Sequence, residues 1–369
     1  MLLTPDVRSS RLDLLAGLLA PMAFALALGC GDSASGPSAS KITYRPWEVI
    51  HLSRPGSSER VDFADPAVIR VDGTWYLYGT SSPEGFETWS SADLATWEYR
   101  GFAWRPTPGS WNDRGNYWAP HVHVRNDGYW LYYTADQRIG VARADSPLGP
   151  FVEVLDHPLV GSGWGGVGDG VLVGSNGPFD DLDEESIDPF LFEREDGSLY
   201  LYVQIATPIP VVAVLPMADP ATPSAPAPIV VLEPDLASWE WIVREAPWIV
   251  EHDGILHLMY SGYVYTSTCY AVGDATSLDP LGPFVRRPDN PILHDDPAVG
   301  FFGPGHHAVV EGAHGDLLIF FHTRTDGDVG VLRDLRYGVM RFDDRGAIVF
   351  DPPPPGDSAP GFNSCFPRT

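Results

Sequence analysis

Apolar and polar side chains alternate with a period of two through five segments of this chain, and each segment folds back on itself at a glycine turn. The segments are DPAVIRVDGTWYLYGTS from Asp65, APHVHVRNDGYWLYYTA from Ala119, DPFLFEREDGSLYLYVQ from Asp188, APWIVEHDGILHLMYSG from Ala246 and HHAVVEGAHGDLLIFFHT from His306. In the first, Val68, Trp75 and Leu77 alternate with polar or small neighbours, the period of a half-buried strand. Asp72-Gly73, Asp127-Gly128, Asp196-Gly197 and Asp253-Gly254 read as hairpin turns, where glycine supplies the positive φ that the turn demands. Four segments open on a proline placed seven or eight residues before the turn glycine, and successive prolines lie 54, 69 and 58 residues apart.

A second hairpin follows in most repeats. TWSSADLATWEYRG sets Trp89 and Trp97 around an acidic turn at Asp93. IGVARADSPLGPF from Ile139 is nearly repeated as YAVGDATSLDPLGPF from Tyr270, and both end in Pro-Leu-Gly-Pro-Phe, which stops strand pairing. Two hairpins per repeat make four strands. The pattern therefore predicts an all-β fold, a single five-bladed β-propeller with four-stranded antiparallel blades, running from about residue 60 to 350. The expected organisation is a lipoprotein-type signal peptide over 1–29, a flexible linker over 30–41, the propeller over 42–352 and a proline-rich tail over 353–369. Pro158 to Glu185 is the longest interruption and is expected to drape over one face. Pro208, Pro210 and the prolines between Asp219 and Pro228 predict an irregular outer half for the third blade.

Composition adjusts this picture. With 44% hydrophobic and 12% aromatic residues among 369, the chain can bury a large core, and 38 glycines with 36 prolines suit short strands joined by turns. The net charge is −26, and Lys41 is the sole lysine. Nucleic acid is excluded as a partner, because neutralising phosphates needs clustered cations. A neutral ligand fits better, and the charge also serves solubility.

Arg8 and Arg11 precede an apolar run from Leu14 to Leu28, and Ala-Leu-Gly-Cys then ends at Cys30. This reads as an export signal whose cleavage leaves Cys30 as a lipid-bearing N-terminus, so an envelope-anchored lipoprotein is expected; a plain signal peptide or a short anchor is the alternative. The lipid would be the chain's one link to a membrane. Cys269 and Cys365 remain, to form a disulfide or to stand as two thiols. A monomer is expected.

The inner strand of every propeller blade lines a common axis, so its first residues converge. Asp65, Asp188 and His306 stand there in three repeats and Glu245 in a fourth, one place earlier relative to its proline. One Asp-Pro alone is ordinary turn chemistry. Three carboxylates and a histidine at related positions of four repeats point to a site.

The strings FADPAVIRVDGTWYLYGTS, SSADLATW, NYWAPHVHVRNDGYWLYYTA, SIDPFLFEREDGSLYLY, REAPWIVEHDGILHLMYSG and FGPGHHAVVEG resemble, in order from Val61 to His322, the signatures of glycoside hydrolase family 43. The resemblance implies a five-bladed propeller that cleaves arabinofuranosyl, xylosyl and sometimes galactosyl linkages with inversion. It implies Asp65 as general base, Glu245 as general acid and Asp188 as the carboxylate that tunes and orients the acid. It implies no cofactor for the chemistry. In many members the histidine matched by His306 holds a calcium or sodium ion beneath the pocket, and His307 is the alternative for that role. Trp118 resembles a position that stacks on the bound sugar. Phe302, Trp104, Trp111 and Trp164 are rim candidates, with packing between blades as the equal alternative. Arg244 would either contact the sugar or pair with Asp188, the latter being preferred.

The chemistry suits these residue types. Inversion needs one protonated carboxyl beside the leaving oxygen and one carboxylate that activates water from the opposite face. Glu-Ala-Pro at Glu245 and Gly-Pro-Gly-His at His306 lean toward arabinan-acting members. Two other readings remain at this stage. One is a glycan-binding propeller without catalysis. The other is a retaining fructan hydrolase, whose Asn-Asp-Pro, Arg-Asp-Pro and Glu-Cys motifs this chain lacks.

Overall fold

Each hairpin expected from the alternation is present, and each is extended by further strands into a sheet of its own. The computed structural model describes residues 42–160, 185–206, 209–325 and 332–355. The expected leader with Cys30, the expected linker, the segment that carries Trp164 and the expected tail with Cys365 lie outside the described residues.

The first blade comprises β1 (Ala64–Val71), β2 (Thr74–Thr80), β3 (Phe86–Ser91) and β4 (Glu98–Trp104). The second comprises β5 (Tyr117–Arg125), β6 (Gly128–Ala135), β7 (Arg138–Ala144) and β8 (Val152–Glu153). In the third, β9 (Glu185–Glu193), β10 (Leu199–Ala206) and β11 (Val211–Asp219) are followed by β12 (Thr222–Pro223) and β13 (Ile229–Leu232). Both of these short strands pair with β11, so the outer strand is split where Pro226 and Pro228 cannot donate to a ladder. The fourth blade comprises β14 (Arg244–His252), β15 (Ile255–Gly262), β16 (Ala271–Ser277) and β17 (Val285–Arg286). The fifth comprises β18 (Phe302–Glu311), β19 (Leu317–Arg324), β20 (Arg333–Phe342) and β21 (Ile348–Phe350). Inner strands touch in the order of the sequence, and β18 returns to β1, which closes the ring.

Apolar clusters fill the five seams between blades. Tyr78, Phe86 and Trp104 of the first blade pack with Tyr117, Leu131 and Tyr133 of the second. Leu318 and Phe320 of the last blade meet Val68, Trp75 and Trp89 of the first. Tyrosines at one register of the second strand pin neighbouring blades through their buried hydroxyls. Tyr132 donates to the Pro220 carbonyl and Tyr202 to the Pro280 carbonyl, each at 2.7 Å, and Tyr78 donates to the Pro147 carbonyl. Pro147, Pro220 and Pro280 thus each present an acceptor to the blade that precedes their own. Residues 42–63 run beside the last blade, where the Trp47 and Ile50 amides donate to the Tyr337 and Leu335 carbonyls at 2.7 and 2.8 Å.

All five inner strands break register at an equivalent place, and β18 has a second break between Phe302 and Gly305. The residue at the break has a positive φ: Asp65 at 50°, Ala119 at 48°, Asp188 at 57°, Ala246 at 52° and His306 at 46°. A left-handed non-glycine residue costs on the order of 1 kcal/mol or more, so each bulge must be held by its surroundings. The preceding blade holds it. The amides of Ala119, Asp188 and His306 donate to Thr80 Oγ1 (3.0 Å), Thr134 Oγ1 (3.2 Å) and Ser261 Oγ (2.8 Å). The Asp65 amide reaches His322 Nδ1 at 3.4 Å and joins the first blade to the last. In the third blade Gln204 occupies the matching register, and the Ala246 amide donates to Asp188 Oδ2 at 2.9 Å instead.

Candidate active site

The bulges decide which side chains share a cavity. Three bulge residues and three that directly precede a bulge face one cavity at the end where the inner strands begin. Asp65, Trp118, Ile187, Asp188, Glu245 and His306 line a pocket of about 210 Å³ there, with Thr80, Tyr265 and Arg333. Asp65, Asp188 and His306 are structural equivalents. Glu245 precedes its bulge and shares a register with Trp118 and Ile187. Its offset by one in the sequence is therefore an offset in space, which places it on a different wall of the cavity.

Asp65 is surrounded by positive or polar groups. His306 Nδ1 lies 3.2 Å from its Oδ1 and His322 Nδ1 3.5 Å from the same atom. Burial alone would raise its pKa. His306, His322 and the Arg333 guanidinium outweigh burial and hold Asp65 well below the usual carboxylate range. Arg333 is itself anchored on Asp62, with Nη2 3.3 Å from Oδ2.

Glu245 has the opposite environment. Burial pushes its pKa up to about 7, with the charge of Asp65 adding to the rise and a hydrogen bond from Tyr270 opposing it. That bond, from the Tyr270 hydroxyl to Oε1, is 2.6 Å long. The Tyr270 ring is buried and lies parallel to His322, with centroids 5.7 Å apart. The residues that touch acid and base are thus stacked on each other. Asp188 is also raised to about 7, first by burial and then by Glu245 and Asp65, against His306 (3.9 Å from Oδ2) and the Ala246 amide. Burial, rather than a like charge from Asp188, is the main reason Glu245 holds its proton.

The expected residues divide accordingly. Asp65, Asp188, Glu245, Trp118 and His306 are brought together. Arg244 is not: it is fully buried, its guanidinium 3.5 Å from Glu240 and donating to the Pro210 and Trp241 carbonyls, so neither a sugar contact nor the pair with Asp188 forms. A guanidinium this deep needs a carboxylate beneath it, and Glu240 supplies one. Phe302 sits opposite Arg324 at the start of β18 and is not among the lining residues. Trp104 packs on Tyr133 in the seam between the first two blades, and Trp111 stacks on the same ring. Trp164 lies outside the described residues. His306 lines the pocket, with its ring nitrogen facing two carboxylates, and His307 is buried. Among the described residues no group of three or more histidine, cysteine or acidic side chains is arranged around a metal position. An ion at His306 would take most of its ligands from water, and no step below is routed through one. Cys269 is disulfide-bonded, and its partner lies outside the described residues.

Tyr265, Arg333, Tyr270 and His322 were missed from the sequence. Arg333 starts a third strand and Tyr270 precedes one; the near repeat that begins at Tyr270 marks the strand but not the tyrosine as a site residue. His322 alone had a signal, being the residue at the register that holds Thr80, Thr134 and Ser261 in other blades.

A family model described as glycosyl hydrolases family 43 matches residues 59–347. A β-D-galactofuranosidase of Aspergillus niger is 28% identical over 316 residues, covering 78% of this chain and 82% of its own. Among solved structures, a thermostable family-43 glycoside hydrolase superposes with a TM-score of 0.68 at 26% identity, over 85% of this chain and 99% of that one. An endo-1,4-β-xylanase from Bacteroides thetaiotaomicron superposes with a TM-score of 0.67 at 30% identity, over 79% and 94%.

Proposed function

Since this chain belongs to glycosyl hydrolase family 43, we propose that it hydrolyses arabinofuranosyl or xylosyl glycosidic bonds of plant poly- or oligosaccharides, with inversion at the anomeric carbon. Glu245 gives its proton to the leaving oxygen while Asp65 takes a proton from the attacking water. Asp188 holds the backbone of Ala246 and so orients the acid. His306 keeps Asp65 ionised and spaced from Asp188, and Trp118 is the wall on which the sugar rests. The observation that carries this reading is the contrast between two carboxyls of one pocket: Asp65 is kept ionised by three cationic or polar neighbours, and Glu245 stays protonated up to about pH 7 through burial. A pocket of about 210 Å³ suits one sugar ring, since drug-sized ligands take roughly 300–1,000 Å³.

Arabinan-type substrates are favoured by the Glu-Ala-Pro and Gly-Pro-Gly-His strings, and the galactofuranosidase relative adds furanosides of galactose to the panel worth assaying. The test is product analysis by NMR on arabino- and xylo-oligosaccharides, with Asp65→Asn and Glu245→Gln beside the parent. Inverted product and a loss of kcat by roughly 10³-fold or more in both variants are expected. Retained anomeric configuration would overturn the roles given to Asp65 and Glu245.

A further inference from the structure

The acid Glu245 is carried by the fourth blade, and two loops beside that blade open on the pocket side. One is 233–243, leading into β14, and the other is 263–270, between β15 and β16. Together they expose aromatic rings that the seams do not use. Trp241 is 42% exposed and Tyr265 51% exposed, with Ile242 at 38% between Trp241 and the strand. The Trp241 ring lies 5.0 Å from that of Tyr263, tilted by 31°. Tyr263 and Tyr265 belong to one short turn, and Tyr265 is already a wall of the pocket. Tyr265 thus lines the pocket, and Tyr263, two residues before it in the same turn, carries the contact with Trp241.

These rings stand on a fixed base. Trp241 is held at a positive φ of 52°, and its carbonyl accepts from Arg244 Nη1 at 3.1 Å. The Tyr263 amide donates to the Glu240 carbonyl at 2.9 Å and so ties one loop to the other. The Glu240 carboxylate is fully buried and takes bonds from Tyr260 (2.5 Å) and Arg286 (2.5 and 2.7 Å). An exposed ring on a rigid base is poised for a flat, neutral partner. Among the described residues the other large exposed apolar side chains, such as Val152, Leu278 and Val285, are aliphatic.

We propose that Trp241 and Tyr263, continued by Tyr265, form a platform for the sugar units on the leaving-group side of the scissile bond. This rests on the hydrolase reading above, because an acid stands next to the oxygen it protonates, and that oxygen's other substituent is the leaving sugar. Loops of the acid's own blade are where that sugar must lie. The apolar face of a sugar ring packs on an aromatic ring by dispersion and weak C–H contacts, and needs no charge from the protein. An oligosaccharide or polysaccharide is the ligand this chemistry fits.

The experiment compares Trp241→Ala, Trp241→Phe and Tyr263→Ala with the parent on a p-nitrophenyl glycoside and on arabino- and xylo-oligosaccharides of increasing length. The expected result is a ratio of kcat/KM, longest to shortest substrate, that falls about tenfold in Trp241→Ala, chiefly through KM, and is largely restored in Trp241→Phe. An equal loss on every substrate would assign Trp241 to the support of Glu245 and overturn the platform, as would no loss on the longest. If the parent cleaves none of these substrates, the hydrolase reading has failed by itself. Affinity electrophoresis in arabinan and xylan gels then tests the platform alone, with unchanged retardation of Trp241→Ala as the outcome against it.

Discussion

Tyr270 and Gly305 form one device. A Cβ at Gly305 would lie 2.1 Å from Tyr270 Cε1, so the glycine of Gly-Pro-Gly-His is the space that the tyrosine ring occupies on its way to Glu245. A motif that in the sequence leans toward one substrate thus has a packing reason independent of the sugar. The hydrogen bond favours the ionised form of Glu245 and opposes burial. The parent enzyme is therefore expected to lose kcat/KM as pH rises through about 7, where Glu245 gives up its proton. No acid limb should appear between pH 5 and 7, because Asp65 is held far below that window. Tyr270→Phe removes the opposing bond, so the falling limb should move up by about one unit while kcat drops roughly tenfold from lost positioning. A limb that stays in place, in a variant of unchanged circular dichroism, would reduce Tyr270 to packing.

The hairpins were legible because alternation and Asp-Gly turns act locally, and the proline after each bulge marked the start of every inner strand but the last. The sequence could rank Asp65, Asp188 and His306 together because all three are bulge residues with the same left-handed backbone. It could not show that Arg244, next to Glu245, turns away into the blade, since a one-residue step in a strand reverses the face. Nor could it show the clasps, in which Thr80, Thr134, Ser261 and His322 of second strands receive the bulge amide of the next blade. These contacts join elements about forty residues apart or more, and leave no local pattern. Thr134 is the informative one, because it receives the amide of Asp188. Thr134→Val keeps the shape and strands a buried N–H, so stability should fall by about 1–3 kcal/mol in urea titrations. The kcat should fall with it, and Thr134→Ser should recover both. Lost stability with full kcat would mean that the clasp braces the ring without positioning Asp188.

Across the whole molecule the pocket and the ring make opposite demands on charge. The seams are apolar and the axis is buried, yet the site keeps two carboxyls there that ionise only near pH 7. A carboxyl whose pKa is raised on folding adds stability below its unfolded value near 4, and that contribution is lost as pH rises through about 7. His307 and His322 act at the other end. Burial lowers them to about 3 and about 4, so their contribution is complete above pH 6.5 and disappears as pH falls toward those values. Asp188→Asn separates the terms. Its amide oxygen can still accept the Ala246 N–H, while the buried negative charge opposite Glu245 and Asp65 is gone. At pH 8 the variant should be more stable than the parent by on the order of 2 kcal/mol, a rise of roughly 3 °C in Tm for a chain of this size, and less active. At pH 5 both proteins hold a neutral group at this position, and the gap in Tm should nearly close. Equal Tm differences at the two pH values would mean that Asp188 stays ionised throughout, held by His306, and that the site exacts no cost in stability through its charge.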